Sequence, residues 1–299
     1  MGTLQAPKPI EIRNILLATD FDPITESALH YSLAIARRYG AKIFLVHVVR
    51  PDVFQFGGTD NRSALDDAWR DAQRHMTDLL IGGHLHGVAH QVMVEQGEVW
   101  PVLSRKIAEL KIDLLVVGTH GRSRIGKLLL GSVAEEIFRQ ATCPVLMVGP
   151  KAPGPTETGA ERILFCTGFS AHSLHAGEYA LSLAQRQGAD LVLLHVSPES
   201  PASSQERDRV RDAACARLLS LVPPDANLPH PPQCLVEFGN AAERILAVAS
   251  ERQPGLIVMG VRQPVGFARR LKWATAYEVV SNAPCPVLTV RSPDTTEPQ

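Results

Sequence analysis

The chain has 299 residues, 45% of them hydrophobic and 20% charged, which excludes a disordered, collagen-like or coiled-coil rod. Thirty Lys+Arg against thirty-one Asp+Glu leave a net charge of −1, which argues against nucleic acid or an anionic membrane as partner. Five cysteines without a CxxC argue against a zinc ribbon or disulfide scaffold and predict five free thiols in a reduced, cytoplasmic chain. Met1 to Arg13 holds no apolar run of the kind a signal peptide needs, and no stretch approaches the ~20 apolar residues of a membrane helix.

Ile12 to Thr19 is a short apolar run, the pattern of a buried strand. Asp22-Pro23 opens a helix with an acidic cap and a proline at the first helical position, and Gly40 closes it. Lys42 to Val49 is a second buried strand. Asp60 to Ile81 is a longer helix whose charges, Arg62, Asp66, Asp67, Arg70, Asp71 and Arg74, form a solvated face. A strand over Val88–Val94, a helix over Trp100–Leu110 and a strand over Asp113–Gly118 follow. A helix from about Ser132 to Gln140 and a strand over Pro144–Val148 complete the set. Strands alternating with helices imply a parallel sheet, in which ligands sit beyond the carboxyl ends of the strands. Asp20, Val48 and Gly118 occupy such ends.

The chain then repeats itself. Residues 15–50 match 163–198 at 14 of 36 positions with an offset of 148, and 113–148 match 255–290 at 12 of 36 with an offset of 142. A period this long is that of a duplicated domain, not a solenoid. Residues 1–150 form the first domain, the Pro/Gly/Thr-rich stretch 151–160 a linker, and 161–299 the second domain. Pairing of the two last strands, Pro144–Val148 and Pro286–Val290, would cover two apolar edges.

The stretch Val117-Gly118-Thr119-His120-Gly121-Arg122, running on to Leu130-Gly131-Ser132-Val133, joins a strand end to a helix start. Glycines let backbone N–H groups approach a ligand closely, and the free N–H groups of a helix start attract phosphate. The Ser132 hydroxyl is placed to serve as cap or phosphate donor. Gly121 to Lys127 also fits G-x4-G-K, but Leu128 stands where a P-loop needs the Ser or Thr that ligates Mg²⁺.

At Gly118, Gly121, Gly131 and Ser132 the chain resembles the universal stress protein family, whose ATP-binding members carry G-x2-G-x9-G-[ST]. Ala-Thr-Asp-Phe at 18–21, Leu-Val-His-Val at 45–48 and Cys-Pro-Val-Leu at 143–146 are similar as well. The resemblance covers both copies. It implies two Rossmann-like α/β domains, each a doubly wound, five-stranded parallel sheet of order 3-2-1-4-5 with helices on both faces. It also implies one ATP per chain, with Mg as an accompanying ion. Thr19, Asp20 and Val48 would meet the adenosine; Val117, Gly118, His120, Gly121, Arg122, Gly131, Ser132 and Val133 would line the nucleotide and its phosphates. The implied function is a regulatory or signalling module of the stress response, with the two domains paired within the chain. A homodimer and a separate protein partner stay open. A slow ATPase or adenylyl-transfer enzyme, and a structural dimer module with a vestigial site, are the alternatives.

The second copy departs where that chemistry lies. Gly168 replaces Asp20, Gln263 replaces Gly121, and Trp273-Ala274 replace Gly131-Ser132, while Gly260 stands for Gly118. Its nucleotide site is therefore read as degenerate. Among other candidates, His84, His86 and His90 offer a conceivable metal site, although their glycine-rich setting suits an exposed loop better. His172 and His175 share a helix face without an acidic partner nearby. His47 and His195 are read as structural histidines, and Cys143 and Cys285 as small core residues.

Overall fold

The computed structural model describes residues 10–51, 61–119, 130–156, 159–199, 201–262 and 274–292. The chain divides into two compact units, Glu11–Pro150 and Lys151–Gln299, with Ile10 belonging to the second, where its N–H donates to Ser182 Oγ at 3.0 Å.

The first unit runs β1 (Asn14–Ala18), α1 (Pro23–Tyr39), β2 (Lys42–Val49), α2 (Asn61–Ile81), β3 (His90–Gln96), α3 (Val99–Glu109), β4 (Leu114–Gly118), α4 (Ser132–Gln140) and β5 (Val145–Val148). β1 lies between β2 and β4, parallel to both, with Ala18 opposite Val46 on one side and Val117 on the other. β3 adds in parallel to β2, and β5 to β4. Ile15, Leu16 and Leu17 are wholly buried, as a central strand covered on both faces requires. Asp113 ties the start of this strand down by accepting the backbone N–H groups of Arg13 and Asn14 at 2.8 and 2.9 Å.

β3 begins two residues later than the apolar run suggests. Leu85 and Val88 are buried in a turn, where Val88 N–H donates to Leu85 O, and the ladder starts only when Ile43 N–H reaches Ala89 O. α2 keeps its charged face, including an exposed Arg70–Asp67 pair, but buries Ala72 and Met76.

The second unit runs β6 (Arg162–Cys166), α5 (Ala171–Gln187), β7 (Asp190–Ser197), α6 (Ser204–Leu219), β8 (Gln233–Phe238), α7 (Ala241–Arg252), β9 (Leu256–Val261), α8 (Ala274–Asn282) and β10 (Val287–Arg291). β6 pairs in parallel with β7 and β9, β7 with β8, and β9 with β10. Each unit thus has an α/β, Rossmann-like architecture. Among the described residues no helix is long and apolar enough to cross a membrane.

Two sequence expectations are overturned here. Cys215 on α6 and Cys234 on β8 form a disulfide, their Cα atoms 5.6 Å apart, so the chain does not hold five free thiols. Helix–strand packing brings together two residues that no local pattern connects. Free thiols remain at Cys143, Cys166 and Cys285. Burial pushes the Cys285 thiol up to about 12, and burial likewise raises Cys166, so neither is a reactive thiolate. The second correction concerns His175, which does have an acidic partner. Glu178, three residues along α5, stands 3.0 Å from its Nδ1.

Candidate functional site

The carboxyl ends of β1, β2 and β4 meet at one edge of the first unit, and most of the sequence-predicted site residues stand there. Because Ala18 is level with both Val46 and Val117, the residues that follow it, Thr19 and Asp20, run level with the last residues of β2 and β4. Val48 is half-buried in β2, and Val117 and Gly118 end β4.

The chain turns sharply out of β1. Phe21 adopts a φ of 61°, a left-handed conformation that is strained for a bulky residue. Local hydrogen bonds hold it there. Phe21 N–H donates to Thr19 Oγ1 at 3.0 Å, and Asp22 N–H donates to Asp20 Oδ1 at 3.1 Å. The Phe21 ring stacks on His75 of α2 and lies against His47, with centroids 4.8 and 4.6 Å apart. His47 Nδ1 in turn bonds the Thr19 carbonyl at 2.8 Å. The buried Thr25 hydroxyl donates to Asp20 Oδ1 at 2.6 Å. That bond fixes the carboxylate at the strand end. Thr25 was not legible as a site residue; its signal is the hydroxyl that recurs as Ser173 at the same offset of 148.

On the β4 side, Thr119 is fully buried, and its N–H donates to Val148 O at 2.9 Å. Its carbonyl accepts Gly131 N–H at 2.8 Å. This one bond sets the start of α4 against the end of β4, so Gly118 and Gly131 are neighbours in space. Gly131 is the N-cap of α4 and Ser132 the first helical residue, so Ser132 does not cap the helix as its hydroxyl suggested. No side chain caps α4, and Ser132 is exposed while Val133 is half-buried. The N–H groups of a helix's first turn have no partner within the helix. Gly131 has φ −58° and ψ 150°, which any residue can adopt. Its glycine is not required by backbone conformation. His120, Gly121 and Arg122 lie outside the described residues.

The second unit repeats the turn without the acid. Phe169 has φ 60°, its N–H donates to Thr167 Oγ1 at 3.0 Å, and His195 Nδ1 bonds Thr167 O at 2.9 Å. Gly168 stands in the place of Asp20, and α5 is capped by Ser170, whose Oγ accepts Ser173 N–H at 3.3 Å. The Thr-x-Phe turn is therefore a device of the fold, and Asp20 is the addition peculiar to the first unit.

Gly260, the counterpart of Gly118, has a packing reason to be glycine. A Cβ there would lie 2.4 Å from the His172 carbonyl oxygen at the start of α5. Gln263 and Trp273 lie outside the described residues. His84, His86 and His90 belong to no metal-holding group: among the described residues no three His, Cys, Asp or Glu side chains cluster so. His90 Nδ1 bonds Val88 O at 2.8 Å.

A Rossmann-like α/β unit present twice, with its candidate site beyond the carboxyl ends of the strands, defines the class of protein. The family model described as the universal stress protein family matches residues 11–149 and again 159–291, and the chain belongs to that family. A universal stress protein of Mycolicibacterium smegmatis is 26% identical over 294 residues, covering 93% of this chain and 96% of that protein. Among solved structures, a universal stress protein from Archaeoglobus fulgidus superposes with a TM-score of 0.67 at 21% identity, over 93% of this chain and 98% of its own. A protein of unknown function from Pseudomonas aeruginosa does so with a TM-score of 0.61 at 19% identity, over 94% and 92%. At such identities the superpositions establish the fold.

Proposed function

We propose that the first domain binds one ATP per chain and that the protein acts as a regulatory module of the stress response. The observation that carries this reading is the Thr119–Gly131 hydrogen bond. It sets a helix start without a side-chain cap beside the strand ends that present Asp20 and Val48. Uncapped N–H groups and the helix dipole attract phosphate. Thr25 and the Asp22 N–H hold the Asp20 carboxylate in one orientation, as recognition of a ribose hydroxyl requires. Arg122, His120 and Gly121 belong to the same reading through the family motif. The reading also takes residues 1–150 and 161–299 as the domains, each one parallel sheet of order 3-2-1-4-5, which the strand pairings support. Bound nucleotide would bias what a partner protein, or a second copy, meets at this edge.

Mass spectrometry of the denatured, as-purified protein is expected to reveal an adenine nucleotide, and calorimetry a stoichiometry of one. Gly131→Trp copies the second domain's residue into the first. Because the φ and ψ of residue 131 are open to any residue, the variant should fold, as circular dichroism would check, and lose ATP. Ser132→Ala should cost less, about 0.5–1.5 kcal/mol for a neutral partner and up to ~3 for a charged phosphate. Unchanged affinity in Gly131→Trp, or two sites per chain, would place the nucleotide elsewhere.

A further inference from the structure

The second domain holds a cavity of 330 Å³ beyond the carboxyl ends of β6, β7 and β9, walled by the first turns of α5, α7 and α8. That is the lower end of the range for small-molecule sites. Leu194, Val196, Ile245 and Met259 make one side of it apolar. Three of the hydroxyls that line it, those of Thr167, Ser170 and Ser173, are occupied with one another. Thr167 Oγ1 donates to Ser173 Oγ at 2.9 Å, Ser173 Oγ donates to Ser170 O at 2.8 Å, and Ser170 Oγ donates to Ser173 Oγ at 3.3 Å. They hold the turn and select nothing.

Two other polar groups on the wall are not so engaged. His172 Nδ1 is buried with no hydrogen-bond partner, the sole such side-chain atom among the described residues. A buried polar atom left unpaired costs about 1–3 kcal/mol, so it persists where something else pairs with it. The backbone beneath it cannot retreat, because the His172 carbonyl is wedged against Gly260. Arg262 at the mouth is exposed and makes no ion pair among the described residues. Gly168 leaves open the space that the acid's side chain takes in the first domain.

We infer that this cavity is a second binding site, for a small amphiphilic monocarboxylate and not for a nucleotide. Its carboxylate pairs with the Arg262 guanidinium, whose planar fork matches it in two hydrogen bonds, and its body lies on the apolar wall. The His172 ring lines the wall, and a turn of the imidazole would bring its unpartnered Nδ1 to a polar group of the ligand. A single guanidinium balances a single negative charge, whereas a triphosphate carries several and the described wall offers no second Lys or Arg to meet them. This inference does not rest on ATP binding in the first domain.

Benzoate is the probe, and benzamide its neutral isostere, both followed by saturation-transfer NMR on the full chain. One benzoate per chain is expected, with benzamide weaker by ~10-fold or more, as loss of a charge-assisted pair implies. Gly168→Leu fills the cavity at a position where a Cβ meets nothing within 4 Å, so it should keep the circular dichroism and melting of the parent while losing benzoate. Arg262→Gln should reduce binding toward that of benzamide. Saturating ATP should leave benzoate bound. Equal binding of benzamide, retention of benzoate by a folded Gly168→Leu, or its displacement by ATP would each overturn the inference. Should the chain bind no ATP at all, the reading of the first domain fails and the benzoate result stands unaffected.

Discussion

At the residue scale, the two copies separate what the fold needs from what a ligand needs. Thr19 and Thr167, Phe21 and Phe169, and His47 and His195 make the same bonds in both units, so their recurrence reports a strained turn and its supports. Gly260 belongs with them. Its counterpart Gly118 carries the first glycine of the nucleotide motif, yet the second copy keeps the glycine where Asp20 and Ser132 are gone. Clearance for the next helix explains the retention. Gly260→Ala should therefore destabilise the second domain by about 3 kcal/mol, the upper part of the range for overpacking, because its Cβ meets rigid backbone. Calorimetric unfolding would show it as an earlier transition, while the ATP stoichiometry stays unchanged. A melting profile equal to the parent's would mean that α5 has room to shift.

Elements were legible wherever burial alternates with turn chemistry. β1, β2, β4, α1 and α4 begin within two residues of where apolar runs, Pro23 and Ser132 put them. β3 was displaced because Leu85 and Val88 are apolar for the sake of a buried turn and not of the strand. α6 carries no legible hydrophobic spacing, for a physical reason. Of its sixteen residues only Leu218 is buried, so hydrophobic spacing says little about what holds it. It is held instead by the Cys215–Cys234 disulfide and by Arg207 over Phe238 and Arg217 over Phe169, the latter 4.0 Å from the ring centroid. A helix with so little apolar anchorage depends on its cross-link. Reduction, or Cys215→Ser with Cys234→Ser, should cost about 3 kcal/mol for a loop of this length. Hydrogen exchange across 204–219 should rise before that of β6 or β7. Uniform protection in reduced and oxidised protein would show that the two cation–π contacts suffice.

At the scale of the whole chain, duplication was the most legible feature, because two runs of identities at nearly equal offsets survive even where site residues do not. The candidate site was legible in part. Asp20, Val48 and Gly118 follow from strand ends, whereas Thr25 and the Thr119–Gly131 bond are set by side-chain and backbone partners that spacing does not reveal. The repeat also carries a prediction about assembly. Val145–Val148 and Val287–Arg291 are the last strands of their units, and Val-Leu-Met-Val and Val-Leu-Thr-Val are apolar sequences to leave on an edge. An exposed apolar edge strand invites aggregation, and mutual pairing of the two would remove both hazards at once. The expected consequence is that the halves hold together without their covalent link. Gly154 offers the place to test this, since a side chain there would meet nothing within 4 Å. With a protease recognition sequence inserted after Gly154 and then cut, the fragments should co-elute in gel filtration at micromolar concentration. Leu146→Lys, placed on the first of these strands, should separate them. Separation of the uncharged fragments on cutting would show that the last strands are covered in some other way.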